Sequence, residues 1–257
     1  MRIGETAISK SGSVGEIISY RNARDIDVLI DGKYKRCGIQ YGNFIRGCFG
    51  SNEQPKICGV GYIGVGSYKS KDENGKHTDA YRKWHDMIER CYNPKSLKKR
   101  PTYESVYVCD EWLNYQAFAK WYYENVIPIN EEMHLDKDIL SNKRKAYSPE
   151  SCCLIPKTIN LLFKRSPKFK DSSKHLPVGV QEQKGCINKY KASLYKDGKT
   201  IVKSGFNSPE SAFAWYKTEK EKHIREVAIV YKHVLPYKVY NALINYEVKP
   251  YPYQEAV

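Results

Sequence analysis

Two acidic residues near the middle of the chain, Asp136 and Asp138, have carboxylate side chains, which are of the type that can bind a hard cation. In an extended segment, side chains two residues apart lie on the same face, and Mg²⁺ binds carboxylate oxygens. His134, two residues before Asp136, carries a side chain that can take up a proton near neutral pH. The alternative is that both acids are surface residues that form salt bridges with Lys143 or Arg144. The choice depends on the elements that surround them.

The chain is strongly basic, with 43 lysine and arginine residues against 29 aspartate and glutamate residues and a formal net charge of +14. A positive excess of this size is typical of proteins that follow a phosphate backbone, because each cation near a phosphate releases counterions. The excess is spread along the chain and is not confined to one tail. A basic protein that is merely soluble is the alternative interpretation.

The eight cysteines include no Cys-x-x-Cys pair, so we predict neither a disulfide framework nor a zinc site. The first residues contain no apolar signal segment, and no run approaches the roughly 18 apolar residues that a membrane span needs. These features predict a cytoplasmic protein that has no membrane partner.

The N-terminal segment, residues 1–66, is rich in β-forming residues. The runs 14–20 and 26–30 have the composition of strands, and Asp31-Gly32 after them is a tight-turn signal. Glycines recur through the rest of the segment and favour bends and bulges over helix. We predict a small β-barrel-like module or a curled sheet. Its role could be to bind nucleic acid, to dock a partner or to support the structure.

Residues 77–166 change in character after a polar linker at 67–76. Thr78 or Asp79 can cap a helix that ends at Asn93-Pro94, and a second helix is predicted at about 115–125. The aromatic residues of both helices fall at helical spacing and are predicted to be core. A second polar linker follows at 165–175.

Residues 176–230 contain two strand-like runs joined by Asp197-Gly198, a strong hairpin signal. Asn207 or Ser208 can cap the helix that follows, with Pro209 at its first position. Residues 231–257 form a C-terminal extension that the pattern does not assign. The chain is therefore predicted to be α+β, with a β-rich module, a central helical core, and a sheet-plus-helix module.

Several motifs between residues 80 and 165 carry a family resemblance. The residues concerned are Trp84, Met87, Arg90, Cys91, Cys109, Trp112, Leu135 to Asp138, Tyr147 to Cys152, and Asn160. In this order they resemble the phage HNH homing-endonuclease family. The resemblance implies a ββα-metal finger, with strands near 134–139 and 151–155 and a helix near 157–164. It also implies a host-cell cytoplasmic location if the gene is phage-encoded.

The same resemblance implies roles for individual residues. The implied metal ligands are Asp136, Asp138 and Asn160, with Mg²⁺ or Mn²⁺ as the cofactor and no small-molecule cofactor. The implied catalytic residues are His134, Asp136, Lys137 and Asn160. Two positions depart from the family pattern, because Lys137 stands where the general-base histidine is expected and Ser151 replaces an asparagine. His134 or Lys137 would then have to act as the base.

Residues 176–222 resemble the AP2 domain, which occurs in plant transcription factors and in phage homing endonucleases. The match rests on Gly179-Val180, Lys189-Tyr190, Ala192, Gly198-Lys199 and Gly205-Phe206. The resemblance implies three strands and one helix, with double-stranded DNA bound on the sheet. The implied DNA-binding residues are Gln181, Gln183, Lys189, Lys191, Ser193, Tyr195 and Lys203. The alternative is a solvated polar sheet face.

Three functional hypotheses follow. The first is a metal-dependent DNA endonuclease that selects its site through the C-terminal sheet. The second is a DNA-binding protein or phage regulator derived from such a nuclease, which the residues Lys137 and Ser151 favour. The third is an interaction protein that acts through its N-terminal segment, although no residue there identifies a partner.

Overall fold

The computed structural model of the chain describes residues 2–140, 145–163, 176–183, 185, 187 and 189–250, and its fold is mixed α+β. The strands are β1 (Thr6–Ile8), β2 (Val14–Asn22), β3 (Asp25–Ile30), β4 (Tyr34–Ile39), β5 (Tyr107–Val108), β6 (Met133–Asp136), β7 (Ala146–Tyr147), β8 (Cys153–Pro156), β9 (Val180–Glu182), β10 (Tyr190–Lys196) and β11 (Lys199–Phe206). The helices are α1 (Tyr41–Ile45), α2 (Asp79–Tyr92), α3 (Pro94–Lys99), α4 (Asp110–Leu113), α5 (Tyr115–Asn125), α6 (Lys157–Leu162), α7 (Pro209–Val230) and α8 (Tyr237–Ile244), with a 3₁₀ turn at Pro101–Tyr103.

Two compact units divide the chain, Met1–Glu124 with Lys145–Pro149 and Asn125–Arg144 with Glu150–Val257. The predicted nuclease core at 77–166 is shared between them, because its helices lie in the first unit and its finger in the second. The predicted linker at 165–175 and the proposed salt-bridge partners Lys143 and Arg144 lie outside the described residues.

The first unit begins with an antiparallel sheet in the order β1-β2-β3-β4. Alternating apolar residues of β2 and β3, such as Ile17 and Val28, are fully buried, and Phe44 of α1 packs against them. Within the described residues this sheet is open, since β1 and β4 are edge strands, so the prediction of a barrel is wrong. The apolar face of the sheet is covered by α1, whose Phe44 joins its core.

The helical part of the first unit is built around two tryptophans. The hydroxyl of Thr78 caps α2 by accepting the Tyr81 N–H, as the sequence predicts. Trp84 is fully buried, and its Nε1 donates to the Trp112 carbonyl oxygen at 2.7 Å. Phe118 of α5 packs edge-on against the Trp112 ring. Trp84, Tyr115, Phe118 and Tyr122 are therefore core, as predicted, whereas Tyr123 is 47% exposed.

The second unit contains two small sheets that pack on α7. The three-stranded sheet has the order β11-β10-β9, and its buried residues Val180 and Ala192 contact Ala212 near the start of α7. Farther along α7, Ile224 joins a second core with the β6–β8 pair, α6 and α8. None of the described helices has both the length and the apolar character needed to cross a membrane.

Candidate active site and nucleic-acid interface

The finger around Asp136 is built from β6, β8 and α6. β6 and β8 pair antiparallel, with His134 opposite Ile155 and Asp136 opposite Cys153. Successive strand residues point to opposite faces, so His134 and Asp136 share one face of this pair. α6 follows β8 directly in the chain, and its Ile159 joins Ile155 in a buried core.

A hydrogen bond joins the strand to the helix at the predicted site. Asn160 Nδ2 lies 2.7 Å from His134 Nδ1, and His134 Nε2 lies 3.3 Å from a carboxylate oxygen of Glu132. With the Asn160 amide donating to Nδ1, the imidazole proton sits on Nε2 and faces Glu132. Lys157 balances the same carboxylate from 3.1 Å. The imidazole is therefore held from both sides.

Asp136 is fixed by the turn that follows β6. Its Oδ1 accepts the backbone N–H groups of Asp138 and Ile139, each at 2.9 Å. Burial raises the pKa of the Asp136 carboxyl above its ordinary value, although these two donors act in the opposite direction. Within the described part of the chain, Oδ2 of Asp136 accepts no hydrogen bond. Among the described residues, one carboxylate oxygen is thus held by the turn, and the other has no hydrogen-bond donor.

The other acid and the lysine of the motif lie differently from the prediction. β6 ends at Asp136, so the strand alternation that places Asp138 on the same face does not extend that far. The Asp138 side chain is 73% exposed and forms an ion pair with Lys137 Nζ at 2.6 Å. Because the Lys137 amine and the Asp138 carboxylate are paired with each other, we do not assign Asp138 as a metal ligand or Lys137 as the general base.

Ser151 occupies the position where the resembled family has an asparagine. It is only 1% exposed and lies two residues before the start of β8. Its Oγ lies 3.7 Å from the Cys152 sulfur. Because this hydroxyl is buried, we assign Ser151 a role in packing. The residues that remain as candidates for the site are His134, Asp136 and Asn160.

The donor set of the finger fits a hard divalent cation. Asp136 Oδ2 and Asn160 Oδ1 are both oxygen donors that accept no hydrogen bond from the described residues, and oxygen is the ligand atom that Mg²⁺ and Mn²⁺ prefer. The residues that the structure describes contain no cluster of three His, Cys, Asp or Glu side chains suited to a metal. Mg²⁺ commonly binds through only one or two protein oxygens and keeps several waters, so a larger cage is not required.

Glu131 supports the finger from outside the motif. Its two oxygens accept the Thr158 N–H at the start of α6 and the Tyr231 hydroxyl, each at 2.7 Å. Partial burial acts to raise the Glu131 pKa, but these hydrogen bonds outweigh it and hold the pKa below its ordinary value. Tyr231 lies just beyond α7, in the extension that the sequence pattern leaves unassigned. Sequence analysis missed both residues, because no local pattern links positions 131 and 231.

The outward face of the three-stranded sheet carries most of the predicted DNA-binding residues. Lys191 pairs with Gln181 across β9 and β10, and the Gln183 N–H donates to the Lys189 carbonyl oxygen one step farther on. The buried Ala192 and Leu194 point towards α7, so the residues between and beside them point away from it. The outward row is Gln181, Gln183, Lys189, Lys191, Ser193 and Tyr195, but Ser193 is only 8% exposed. Tyr195 is 66% exposed.

Lys203 is an exception, because it lies on the other face. It pairs with the buried Ala192, and its Nζ lies 5.9 Å from the Phe206 ring centroid and 5.7 Å from that of Trp215 on α7. The prediction that Lys203 shares the outward DNA-binding face is therefore wrong in its placement. Lys196, on the same inward side, forms an ion pair with Glu226 of α7 at 2.5 Å.

Gly179 explains how β9 approaches α7. Its φ is +79°, and a Cβ atom there would lie 2.2 Å from the Tyr216 ring. Only glycine combines this backbone conformation with the close approach. The residue brings β9 against the helix and so fixes the position of Gln181.

No carboxylate lies in the outward row, so the face has the charge and hydrogen-bonding groups that suit DNA.

Comparisons of the chain with protein-family models, with curated proteins and with solved structures find no match.

Proposed function

We propose that this protein is a metal-dependent DNA endonuclease that recognises its site through the outward face of β9, β10 and β11. The single observation that carries the cleavage part is the hydrogen bond between Asn160 and His134, on the strand face that His134 shares with Asp136. Three residue types suited to phosphodiester hydrolysis are thereby collected on a rigid strand–helix unit. The net charge of +14 supports a nucleic-acid substrate.

In this mechanism Asp136 Oδ2 and Asn160 Oδ1 would hold the metal ion. When bound, a divalent cation supplies stabilisation of the charge that develops on the phosphate oxygens. His134 is the residue that takes the proton of the attacking water, at Nδ1, while Glu132 holds the Nε2 proton and so orients the ring. In the free protein, His134 Nδ1 accepts a hydrogen bond from the Asn160 amide. Lys137 keeps its ion pair with Asp138 and takes no part in proton transfer.

Recognition is assigned to the sheet because a small finger contacts few bases. Gln181 can form two hydrogen bonds to one adenine, and Lys191 beside it can contact a phosphate or guanine. Tyr195 adds an exposed aromatic ring farther along β10. Binding through this face should weaken as salt concentration rises, because the lysine contacts release counterions.

A second candidate is a DNA-binding protein that has lost cleavage. The observations that favour it are the Lys137–Asp138 ion pair and the buried Ser151, which stand where the resembled family has catalytic and orienting residues. Both candidates share the same DNA-binding face. They differ only in whether the finger cuts.

The test is cleavage of supercoiled plasmid by the purified full chain with Mg²⁺, Mn²⁺ or EDTA, together with a gel-shift assay. We expect metal-dependent nicking that is lost in Asp136→Ala and Asn160→Ala, with DNA affinity retained. Asp138→Ala is the matched control, since it removes an exposed carboxylate two residues away and should still cut. Salt-sensitive binding without cleavage in any metal would leave the second candidate. Absence of both binding and cleavage would exclude both.

A further inference from the structure

The N-terminal module contains a cleft that neither the finger nor the C-terminal sheet involves. Its volume is about 580 Å³, and no aspartate or glutamate lines it. The polar part of its lining comes from Lys10, Ser11, Arg36, Gln40, Asn43 and Lys56. We propose that this cleft is a second nucleic-acid site, which binds the phosphate backbone without reading sequence.

One wall of the cleft depends on a β-bulge at the end of β4. Ile26 pairs with Ile39 and Val28 with Arg36, so Cys37 and Gly38 together oppose the single residue Asp27. Gly38 adopts a φ of +67°, and its N–H donates to Asp27 Oδ1 at 3.3 Å. The bulge bends the edge strand, and Arg36 on one side of it and Gln40 beyond it both line the cleft.

The opposite wall brings two distant lysines to one place. Gly47 accepts the Lys10 N–H at 2.9 Å, and a Cβ on Gly47 would lie 2.6 Å from the Ile8 carbonyl oxygen. Likewise, a Cβ on Gly50 would lie 2.8 Å from Lys56 Nζ. Glycines at both positions therefore allow the loop to lie against β1 and the amine to lie against the loop.

The loop that carries Lys56 is anchored to the sheet. Gln54 is buried, and its side chain accepts the Ser51 N–H and donates to Ser13 and to Asp31 Oδ2. These contacts tie the loop to the open end of the β2–β3 hairpin, where β2 begins and β3 ends. The position of Lys56 is thus set by tertiary structure.

Three cationic side chains line the cleft, those of Lys10, Arg36 and Lys56. In the part of the chain that the structure describes, Lys10, Arg36 and Lys56 form no ion pair, whereas Arg21 and Lys35 of the same sheet both bind Asp27. Unpaired cations around a concave, carboxylate-free surface attract phosphate groups. Arginine adds a planar fork of donors that matches phosphate oxygens.

Two observations favour a nucleic-acid backbone over a base-reading site. The cleft has room for more than one phosphate group, so a polymer can place successive phosphates against its three cations. The aromatic residue that lines it, Phe49, stacks on Phe44 at 5.2 Å between centroids, and Gly15 closes its other side. That ring is therefore used in packing and does not serve as a platform for base stacking.

The first test compares two charge-matched double variants of the full chain. Arg36→Ala with Lys56→Ala changes the cleft, and Arg24→Ala with Lys33→Ala removes two exposed cations of the same sheet that do not line it. Both pairs carry Lys191→Ala and Tyr195→Ala, so that the C-terminal sheet contributes little. Binding of a short duplex of arbitrary sequence is followed by fluorescence anisotropy at several salt concentrations.

We expect the cleft pair to reduce the slope of log affinity against log salt by roughly 1.8, since each lost phosphate contact removes about 0.9. The control pair should change the slope by less than half as much. Equal losses in both pairs would reveal a diffuse charge effect and overturn the proposal, as would an unchanged slope in the cleft pair. Circular dichroism checks that all variants fold.

Native cysteines give an independent measurement on the unaltered chain. Cys48 lines the cleft and is exposed, whereas Cys37 is exposed but does not line it. The duplex should slow alkylation of Cys48 and leave Cys37 unchanged. Equal protection of both cysteines would contradict the proposal. Protection by inorganic phosphate or by polyglutamate but not by the duplex would also contradict it, in favour of a small-anion site or a protein-docking site. Because this site does not involve the finger, failure of cleavage would leave the test intact.

Discussion

Asn160→Ala separates the chemistry of the finger from its stability. The amide forms one hydrogen bond, to His134 Nδ1 at 2.7 Å in a partly buried position. Its loss should cost about 1 kcal/mol of unfolding free energy. Alanine is the better helix former by about 0.5 kcal/mol, and Asn160 lies within α6, so this gain offsets about half of the loss. We therefore expect the variant to fold with a stability within about 1 kcal/mol of the wild type.

The same change should reduce cleavage on the order of 100-fold or more, because it removes the proposed oxygen ligand of the metal and releases one side of the imidazole. Ile159→Ala is the contrasting variant. Ile159 is adjacent in sequence and fully buried, and its truncation should cost about 2 to 5 kcal/mol. A variant that destabilises without touching the site thus serves as the reference for indirect effects.

The assay pairs urea unfolding with plasmid nicking at a temperature where every variant is folded. If Asn160→Ala loses as much stability as Ile159→Ala, its loss of cleavage has a structural cause and the assignment fails. If it is stable and cuts at the wild-type rate, Asn160 is not a ligand. Only the combination of normal stability and lost cleavage agrees with the proposed site.

Three further predictions concern the folded modules. Gly179→Ala should destabilise the C-terminal module by about 2 to 4 kcal/mol in a urea titration, because its φ is positive and the new Cβ would overlap the Tyr216 ring. Gly198→Ala is the control, with a φ of +78° and no neighbour within 4 Å, and should cost only about 1 kcal/mol in the same titration. Burial lowers the Lys220 pKa from 10.5 to about 8, so the folded state loses this proton first and stability should rise between those pH values; Lys220→Met should abolish that rise and be more stable at pH 7. Hydrogen bonds from Arg21 lower the Asp27 pKa from 3.8 to about 2, so this contribution is present above pH 3.8 and is lost as pH falls towards 2; in acid titrations by circular dichroism, Asp27→Asn should weaken the N-terminal module at pH 7 and remove that dependence.

Local signals predicted much of the secondary structure. The strand-like runs at 14–20 and 26–30 lie within or on β2 and β3, and Thr78 and Ser208 cap α2 and α7 through their side chains. Such features depend on residues close in sequence, which is why a pattern can indicate them. The open N-terminal sheet was less predictable, because closure depends on how far a sheet curls and on what covers it.

The position of Lys203 on the sheet could have been predicted from the sequence. A two-residue turn at Asp197-Gly198 pairs Lys196 with Lys199, and counting outward from that pair puts Lys203 opposite Ala192. Because Ala192 is buried against α7, Lys203 lies on that side of the sheet too. The resemblance that implies Lys203 as a DNA-binding residue does not take account of the register across the turn.

The support of the finger was not within reach, because its partners are far away in the chain. α8 contributes Val239 and Leu243 to the core that holds β6, β8 and α6, yet short apolar runs of that kind occur in many surface helices. Asp138 was misplaced for a related reason. The motif suggests a strand through position 139, but hydrogen bonds from the backbone to Asp136 end the strand three residues earlier.

The shared helix has a consequence for how the proposed reading and cutting activities are coupled. Ala212 packs against the three-stranded sheet, and Ile224 packs against the finger, on one uninterrupted α7. Twelve residues of α-helix separate these contacts by about 18 Å along the axis. Because the sheet and the finger both pack against one continuous helix, their separation is fixed more firmly than it would be by a flexible linker. If the sheet binds DNA as proposed, the shared helix holds the finger at a fixed distance from the residues that read the sequence.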